Sequence, residues 1–130
     1  MNLQNTLMET LGMELVSLEK DLVEIKMPVN KHTHQPMGFL HGGASVALAE
    51  SAASIGAYVN VDPDTQQIFG LEINANHMKS KRDGWVTGKA TPLHRGKTTM
   101  VWEIKIVDET DDLISISRCT VGVVPKKTPE

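Results

Sequence analysis

An α+β fold, in which a curled antiparallel sheet wraps one long central helix, is predicted by three features of this chain. From Gly42 to about Asn60 runs a helix-length segment whose Ala44, Ala47, Leu48, Ala49, Ala52, Ala53 and Ala57 leave almost no polar face. A helix apolar nearly all round is a buried one. After the turn residues Val61-Asp62-Pro63-Asp64-Thr65, the segments alternate polar and apolar residues in the strand period. Their links are short, so the four consecutive strands are expected to pair as an antiparallel meander.

Each element has its own local reason. Thr6 to Gly12 reads as a short helix with Leu7, Met8 and Leu11 on one side and Gly12 as its stop. Leu15-Val16-Ser17 is strand-like, and from Asp21 to Met27 Val23, Ile25 and Met27 alternate with Glu24 and Lys26 until Pro28 ends the run. Residues 29–40 form a polar loop at the long end for a connection, which points to function. Gln67 to Lys79 sets Phe69, Leu71, Ile73 and Ala75 against Glu72, Asn74 and Asn76. Arg82-Asp83-Gly84 turns the chain into a strand from Trp85 to Leu93, and His94-Arg95-Gly96-Lys97 turns it again. Thr99 to Asp108 places Met100, Trp102, Ile104 and Ile106 on one face. Glu109-Thr110-Asp111-Asp112 then leads into Leu113 to Val124, closed by Pro125, and the tail from Lys126 to Glu130 is expected to fray.

With 130 residues the chain makes one domain over 1–130, and neither a repeat nor a low-complexity tract divides it. Apolar residues at 40% and charged residues at 22% are ordinary for a globular protein. A net charge of -3 argues against nucleic acid or an anionic membrane as the main partner. No apolar run reaches the roughly 20 residues that cross a bilayer. The N-terminus lacks signal-peptide features, and Cys119 is alone; both fit a cytoplasmic protein. Residues 77–97 carry six Lys or Arg (Lys79, Lys81, Arg82, Lys89, Arg95 and Lys97) against Asp83 alone, a local balance of +5. Such an island on an acidic protein suits a small anionic ligand, or else a solvated face of two strands.

Between Lys31 and Asp62 the only formal charge is Glu50. A carboxylate in an alanine-rich helix is costly to desolvate without a partner or a task. Burial would raise its pKa toward that of a base working near neutral pH, with Ser54 one turn on to orient it. The bland alternative is a carboxylate that reaches the surface. His41-Gly42-Gly43 opens the same helix, where free N–H groups and a partial positive charge face outward and glycine admits a carbonyl. That describes an oxyanion-type site, or merely a tight entry into the helix. His41 and Glu50 lie nine residues apart, about 180° around and about 13 Å along a helix. They cannot meet on one reacting atom within a chain. If both act, the site is shared by antiparallel helices of two subunits related by a two-fold axis.

Three decoys fall away. Gly96-Lys97-Thr98 lacks the first P-loop glycine, which would fall at Thr91, and leads into a strand. His32, His34 and His41 fit no common zinc spacing, so no metal is expected. Ser45, Ser51 and Ser54 lack the G-x-S-x-G elbow of serine hydrolases.

The run Gln35-Pro36-Met37-Gly38-Phe39-Leu40-His41-Gly42-Gly43-Ala44-Ser45, with Leu48-Ala49-Glu50-Ser51, resembles the hotdog-fold acyl-CoA thioesterases. The likeness is to the group acting on 4-hydroxybenzoyl-CoA and 1,4-dihydroxy-2-naphthoyl-CoA, the latter a substrate of menaquinone biosynthesis. Gly70-Leu71-Glu72-Ile73-Asn74-Ala75-Asn76-His77 and Pro92-Leu93-His94-Arg95-Gly96 extend it over nearly the whole chain. The resemblance implies that Glu50 is nucleophile or general base and that the Gly42 N–H polarises the thioester oxygen. His41 and Gln35 would shape that pocket, and Ser54 would position the lytic water. Gly70, the stretch His77, Met78, Lys79 and Ser80, and the stretch His94, Arg95, Gly96, Lys97, Thr98 and Thr99 match segments that contact acyl-CoA. It also implies no cofactor, and a homodimer or homotetramer with Gln35, His41 and Gly42 of one subunit facing Glu50 and Ser54 of the next. Rival expectations are a hotdog dehydratase of 3-hydroxyacyl thioesters and a non-catalytic acyl-CoA binder.

Overall fold

The computed structural model describes residues 1–127. In chain order its elements are α1 (Leu7–Thr10), β1 (Glu14–Leu18), β2 (Val23–Pro28), α2 (Gly42–Tyr58), β3 (Gln66–His77), β4 (Trp85–Arg95), β5 (Thr99–Val107) and β6 (Leu113–Pro125). Six strands form one sheet in the order β1-β2-β4-β5-β6-β3, antiparallel throughout, which curls around α2. The α+β expectation of one long helix in a curled antiparallel sheet holds.

The core lies between the concave face of the sheet and α2. Ala49, Ala52, Ala53 and Ala57 are fully covered, as are Val23, Ile25, Met27, Trp102, Ile104 and Ile106 from the strands. Small residues on α2 are what let the sheet close in. At Gly56 a β-carbon would stand 2.8 Å from the Trp102 ring, so the indole lies flat against helix backbone. No helix among the described residues is long and apolar enough to cross a membrane.

The simple meander is corrected. Of the four strands after α2, β4, β5 and β6 follow one another as neighbours; β3 pairs with β6 at the far edge, and β2 takes the place beside β4 that β3 was expected to fill. The chain from His77 to Trp85 is longer than a hairpin turn, and the pairing of all of β2 with Trp85 to Ala90 of β4 leaves β3 the other edge.

A second correction concerns the alternation within β3. Gly70 pairs with Val121 and Glu72 with Thr120, so Leu71 is an extra, bulged residue. One extra residue reverses which side chains face inward. Ile68 and Ile73 pack on the core, whereas Phe69 and Leu71 are exposed. Smaller differences lie at the ends. β4 continues through His94 and Arg95 after an irregularity at Pro92, so the turn shrinks to Gly96, Lys97 and Thr98. Lys126 is held by its N–H on the Thr65 carbonyl and its Nζ on the Pro63 carbonyl; the rest of the expected frayed tail, beyond residue 127, lies outside the described residues.

Candidate active site

The 29–40 loop is pinned by hydrogen bonds instead of spare length. Thr33, nearly fully buried, donates its Oγ1–H to the Pro28 carbonyl, and its own carbonyl accepts the His41 N–H at 2.8 Å. The Leu40 N–H reaches the Lys81 carbonyl at 2.8 Å, and the Arg82 guanidinium lies 4.1 Å over the Phe39 ring. This fixes where α2 begins. His41 is its N-cap, with Nδ1 accepting the Gly43 N–H at 2.8 Å, while the His41 carbonyl receives Ala44 and Ser45. Among the described residues no acceptor takes the Gly42 N–H. One amide at a positive helix end is thus left without a partner among the described residues.

That amide opens into a cleft of ≈ 360 Å³ lined by Gln35, Phe39, Leu40, Gly42, Ser45, His77, Met78, Lys79, Ser80 and Ile114. The His77 ring covers Gly42 so closely that a β-carbon there would fall 3.0 Å from Nε2. Gln35 Oε1 accepts the N–H groups of Met37 and Phe39, which locks its amide at the cleft wall. Six of the expected residues therefore converge: Gln35, Gly42, His77, Met78, Lys79 and Ser80. His41 does not join them. Its ring lies in another groove with Leu7, Leu11, His32 and His34 and caps the helix by accepting the Gly43 N–H.

Glu50 and Ser54 lie farther along α2, away from the cleft. Glu50 is not buried in the single chain, and this corrects the expectation of a desolvated carboxylate. The helix leaves that face uncovered, and no cation among the described residues pairs with Glu50. Its Oε2 instead rests on β3 at Gly70, where a β-carbon would come within 2.8 Å. The Leu71 bulge and a residue without a side chain together make that seat. Gly70, expected at the ligand, makes room for the carboxylate within the single chain. Beneath it Cys119 is fully covered, and burial, aided by the charges of Glu50 and Glu72, pushes its thiol up to about 11. A thiol held that high is no nucleophile at neutral pH.

The remaining expected contacts, His94 to Thr99, sit at the opposite end of α2. Arg95 braces the helix exit there, donating to the Lys20 carbonyl at 3.2 Å and Asn60 Oδ1 at 3.1 Å and pairing with Asp21 at 2.7 Å. The basic island is therefore divided between two ends of the molecule, and it is largely neutralised. Lys79 meets Asp112 at 2.7 Å and Asp108 at 3.7 Å, Lys81 meets Glu109 at 2.6 Å, and Lys89 meets Asp111 at 3.4 Å. Burial pushes the Asp108 carboxyl up, but donors from Thr110 and the Asp112 N–H, with Lys79 nearby, outweigh it and hold it at about 2. The Lys81 hydrogen bond lowers Glu109, and that with Asp112 raises Lys79. Sequence reasoning missed this acidic turn as a partner of the island. It also missed Phe39, Leu40, Ser45 and Ile114 in the cleft, although Ser45 stands one turn after Gly42 and could have been found by helical spacing.

Comparison with known proteins agrees with this geometry. The pattern of the Thioesterase superfamily matches residues 37–115, more than half of the chain. A 1,4-dihydroxy-2-naphthoyl-CoA hydrolase of Listeria monocytogenes is 55% identical over 121 residues, 93% of this chain and 98% of that protein. One of Escherichia coli is 48% identical over 104 residues, 80% of this chain and 76% of its own length. Among solved structures, a Haemophilus influenzae thioesterase superposes with a TM-score of 0.91 at 40% identity, covering 95% of this chain and 85% of its own. The free helix-terminal amide, the curled sheet and these likenesses agree: the chain belongs to the Thioesterase superfamily and is a thioester hydrolase of the hotdog fold.

Proposed function

We propose that the protein hydrolyses an acyl-CoA thioester with an aromatic acyl group, such as 1,4-dihydroxy-2-naphthoyl-CoA, to the free acid and CoA, in the cytoplasm and in menaquinone biosynthesis. The observation that carries this is the Gly42 N–H, left without an acceptor among the described residues at a helix N-terminus and opening into the cleft. The naming of the Listeria relative as a 1,4-dihydroxy-2-naphthoyl-CoA hydrolase, matched over nearly its whole length, supports the acyl group. In this reading the thioester carbonyl accepts the Gly42 N–H, which stabilises the negative charge growing on oxygen. Glu50 takes a proton from water as the water oxygen bonds to the acyl carbon, or attacks that carbon itself and is later released by water. In the first route the C–S bond then breaks and Glu50 passes its proton to the departing CoA thiolate. In the second the C–S bond breaks as the Glu50 acyl anhydride forms, the thiolate takes a proton from water, and a second water cleaves the anhydride to free acid and Glu50. Ser54, one turn after Glu50, holds the water, and Gln35 and His77 bound the carbonyl end. A carboxylate and oriented amides suffice, without metal or cofactor.

The reading requires two copies. Glu50 lies eight residues from Gly42, about 12 Å along the helix, within one chain. A second copy joined along β3, the long uncovered edge that carries exposed Phe69 and Leu71, would run its helix antiparallel to the first. The Glu50, Ser54 and Gly70 group of one copy would then approach the Gln35, Gly42 and His77 group of its partner. Two such pairs could build a tetramer.

Glu50→Gln tests the assignment by thiol release. The expected result is a fall in kcat of about 10²–10⁴-fold, the usual value of a general base, with CoA binding retained. Wild-type turnover in that variant would overturn the role of Glu50. Enoyl product from a 3-hydroxyacyl thioester, in place of free thiol, would indicate dehydration.

A further inference from the structure

The acidic turn between β5 and β6 is attached to the cleft through one side chain. Lys79 lines the cleft beside Gly42 and His77, yet its ammonium is already held by two carboxylates, Asp112 Oδ2 at 2.7 Å and Asp108 Oδ2 at 3.7 Å. The turn that carries them is built to stay in place. Asp108 Oδ1 accepts Thr110 N–H, Thr110 Oγ1–H and Asp112 N–H, at 2.9, 2.9 and 3.0 Å, and Asp111 adopts φ 66 to close the loop. On its other side Glu109 binds Lys81 and accepts the Trp85 N–H at 3.0 Å. Gly84 lies directly beneath Glu109, in a left-handed conformation at φ +77 where any side chain would collide with that carboxylate. The scaffold thus holds Asp108 and Asp112 against Lys79, which lines the cleft, so that its ammonium faces two carboxylates.

We infer that this turn is a built-in counter-anion for Lys79 which the phosphates of a CoA carrier must displace, so that Asp112 limits the affinity for the carrier and leaves the chemical step alone. The inference rests on the acyl-CoA reading above and names the part of the substrate that the turn acts on. Asp112 is the residue to change, because its side chain has Lys79 as its partner among the described residues, whereas Asp108 also organises the loop. An exposed pair of this kind is weak, so the effect is modest.

The experiment measures binding of CoA and of phosphate-free pantetheine to the wild-type protein and to Asp112→Asn by calorimetry, with kcat and KM for benzoyl-CoA alongside. Asp112→Asn is expected to bind CoA about twofold to fivefold more tightly at low ionic strength, with the gain lost near 1 M salt, where charges are screened beyond about 3 Å. Pantetheine binding and kcat should not change. A second variant, Lys79→Met, should weaken CoA and spare pantetheine. Unchanged or weaker CoA binding in Asp112→Asn, an equal change for pantetheine, or no CoA binding by the wild type would each overturn the inference. A wild-type protein that binds CoA as expected but releases no thiol from any acyl-CoA would instead overturn the hydrolase reading and leave the role of the turn standing.

Discussion

Glu50 was legible because a lone charge among apolar residues is conspicuous in a sequence. Its environment was not, since the helical pattern says which residue is unusual but not which strand meets it. The structure answers with Gly70, whose missing side chain leaves room for Oε2. Replacing Gly70 by alanine should push the carboxylate aside by a fraction of an ångström or more. Misplacement on that scale can cost up to about 10²-fold in rate. Gly70→Ala is therefore expected to lower kcat by about tenfold or more with little change in KM or melting temperature. Unaltered thiol release by that variant would show that the seat at Gly70 does not position Glu50. Cys119 shows the opposite case: a reactive residue type that the fold renders inert by complete coverage, with its thiol pushed up to about 11.

Among the elements, α2 was readable nearly to the residue, because a run of alanines bounded by two glycines and a turn has few alternatives. Its cap was less so. The imidazole of His41 serves where Ser, Thr, Asp or Asn is usual, by offering Nδ1 to the Gly43 N–H. This separates two roles that the histidine might otherwise share. His41→Ala should lose about 0.5–2 kcal/mol of stability, while His41→Asn, which can restore the cap, should recover most of it. Thermal unfolding of both variants beside thiol-release rates provides the test. Restored melting without restored turnover would give the ring a catalytic duty beyond capping. The strands were legible in number and face except for β3, where the bulge lies between Gly70 and Glu72 and the lone Gly70 inside the run was its one signal.

For the molecule as a whole, turn chemistry proved a poor guide to which strands are neighbours. Arg82-Asp83-Gly84 does reverse the chain, but a reversal is local, whereas neighbour order depends on β2 claiming the flank of β4. The basic island has the same limit: counting charges in a window could not reveal that Lys79, Lys81 and Lys89 face acids from residues 108–112 or that Arg95 lies at the other end of α2. The proposed site between two copies is tested at this scale. Leu71→Arg puts a charge at the centre of the open β3 edge; on the two-copy proposal it should yield monomers by sedimentation where the wild type gives dimers or larger, and abolish turnover while circular dichroism stays unchanged. Full activity in a monomeric variant would refute a site assembled from two copies.

The bulge at Leu71 has a consequence for how this chain can change in length. Deleting or adding a single residue between Gln66 and Glu72 would transpose inside and outside for one half of the strand, exchanging Ile68 with Phe69 or Ile73 with Glu72. Length changes by two preserve the parity of both halves. Tolerance to insertion and deletion along this edge should therefore depend on whether the number is odd or even, in a strand whose composition alone would suggest that any small change is harmless.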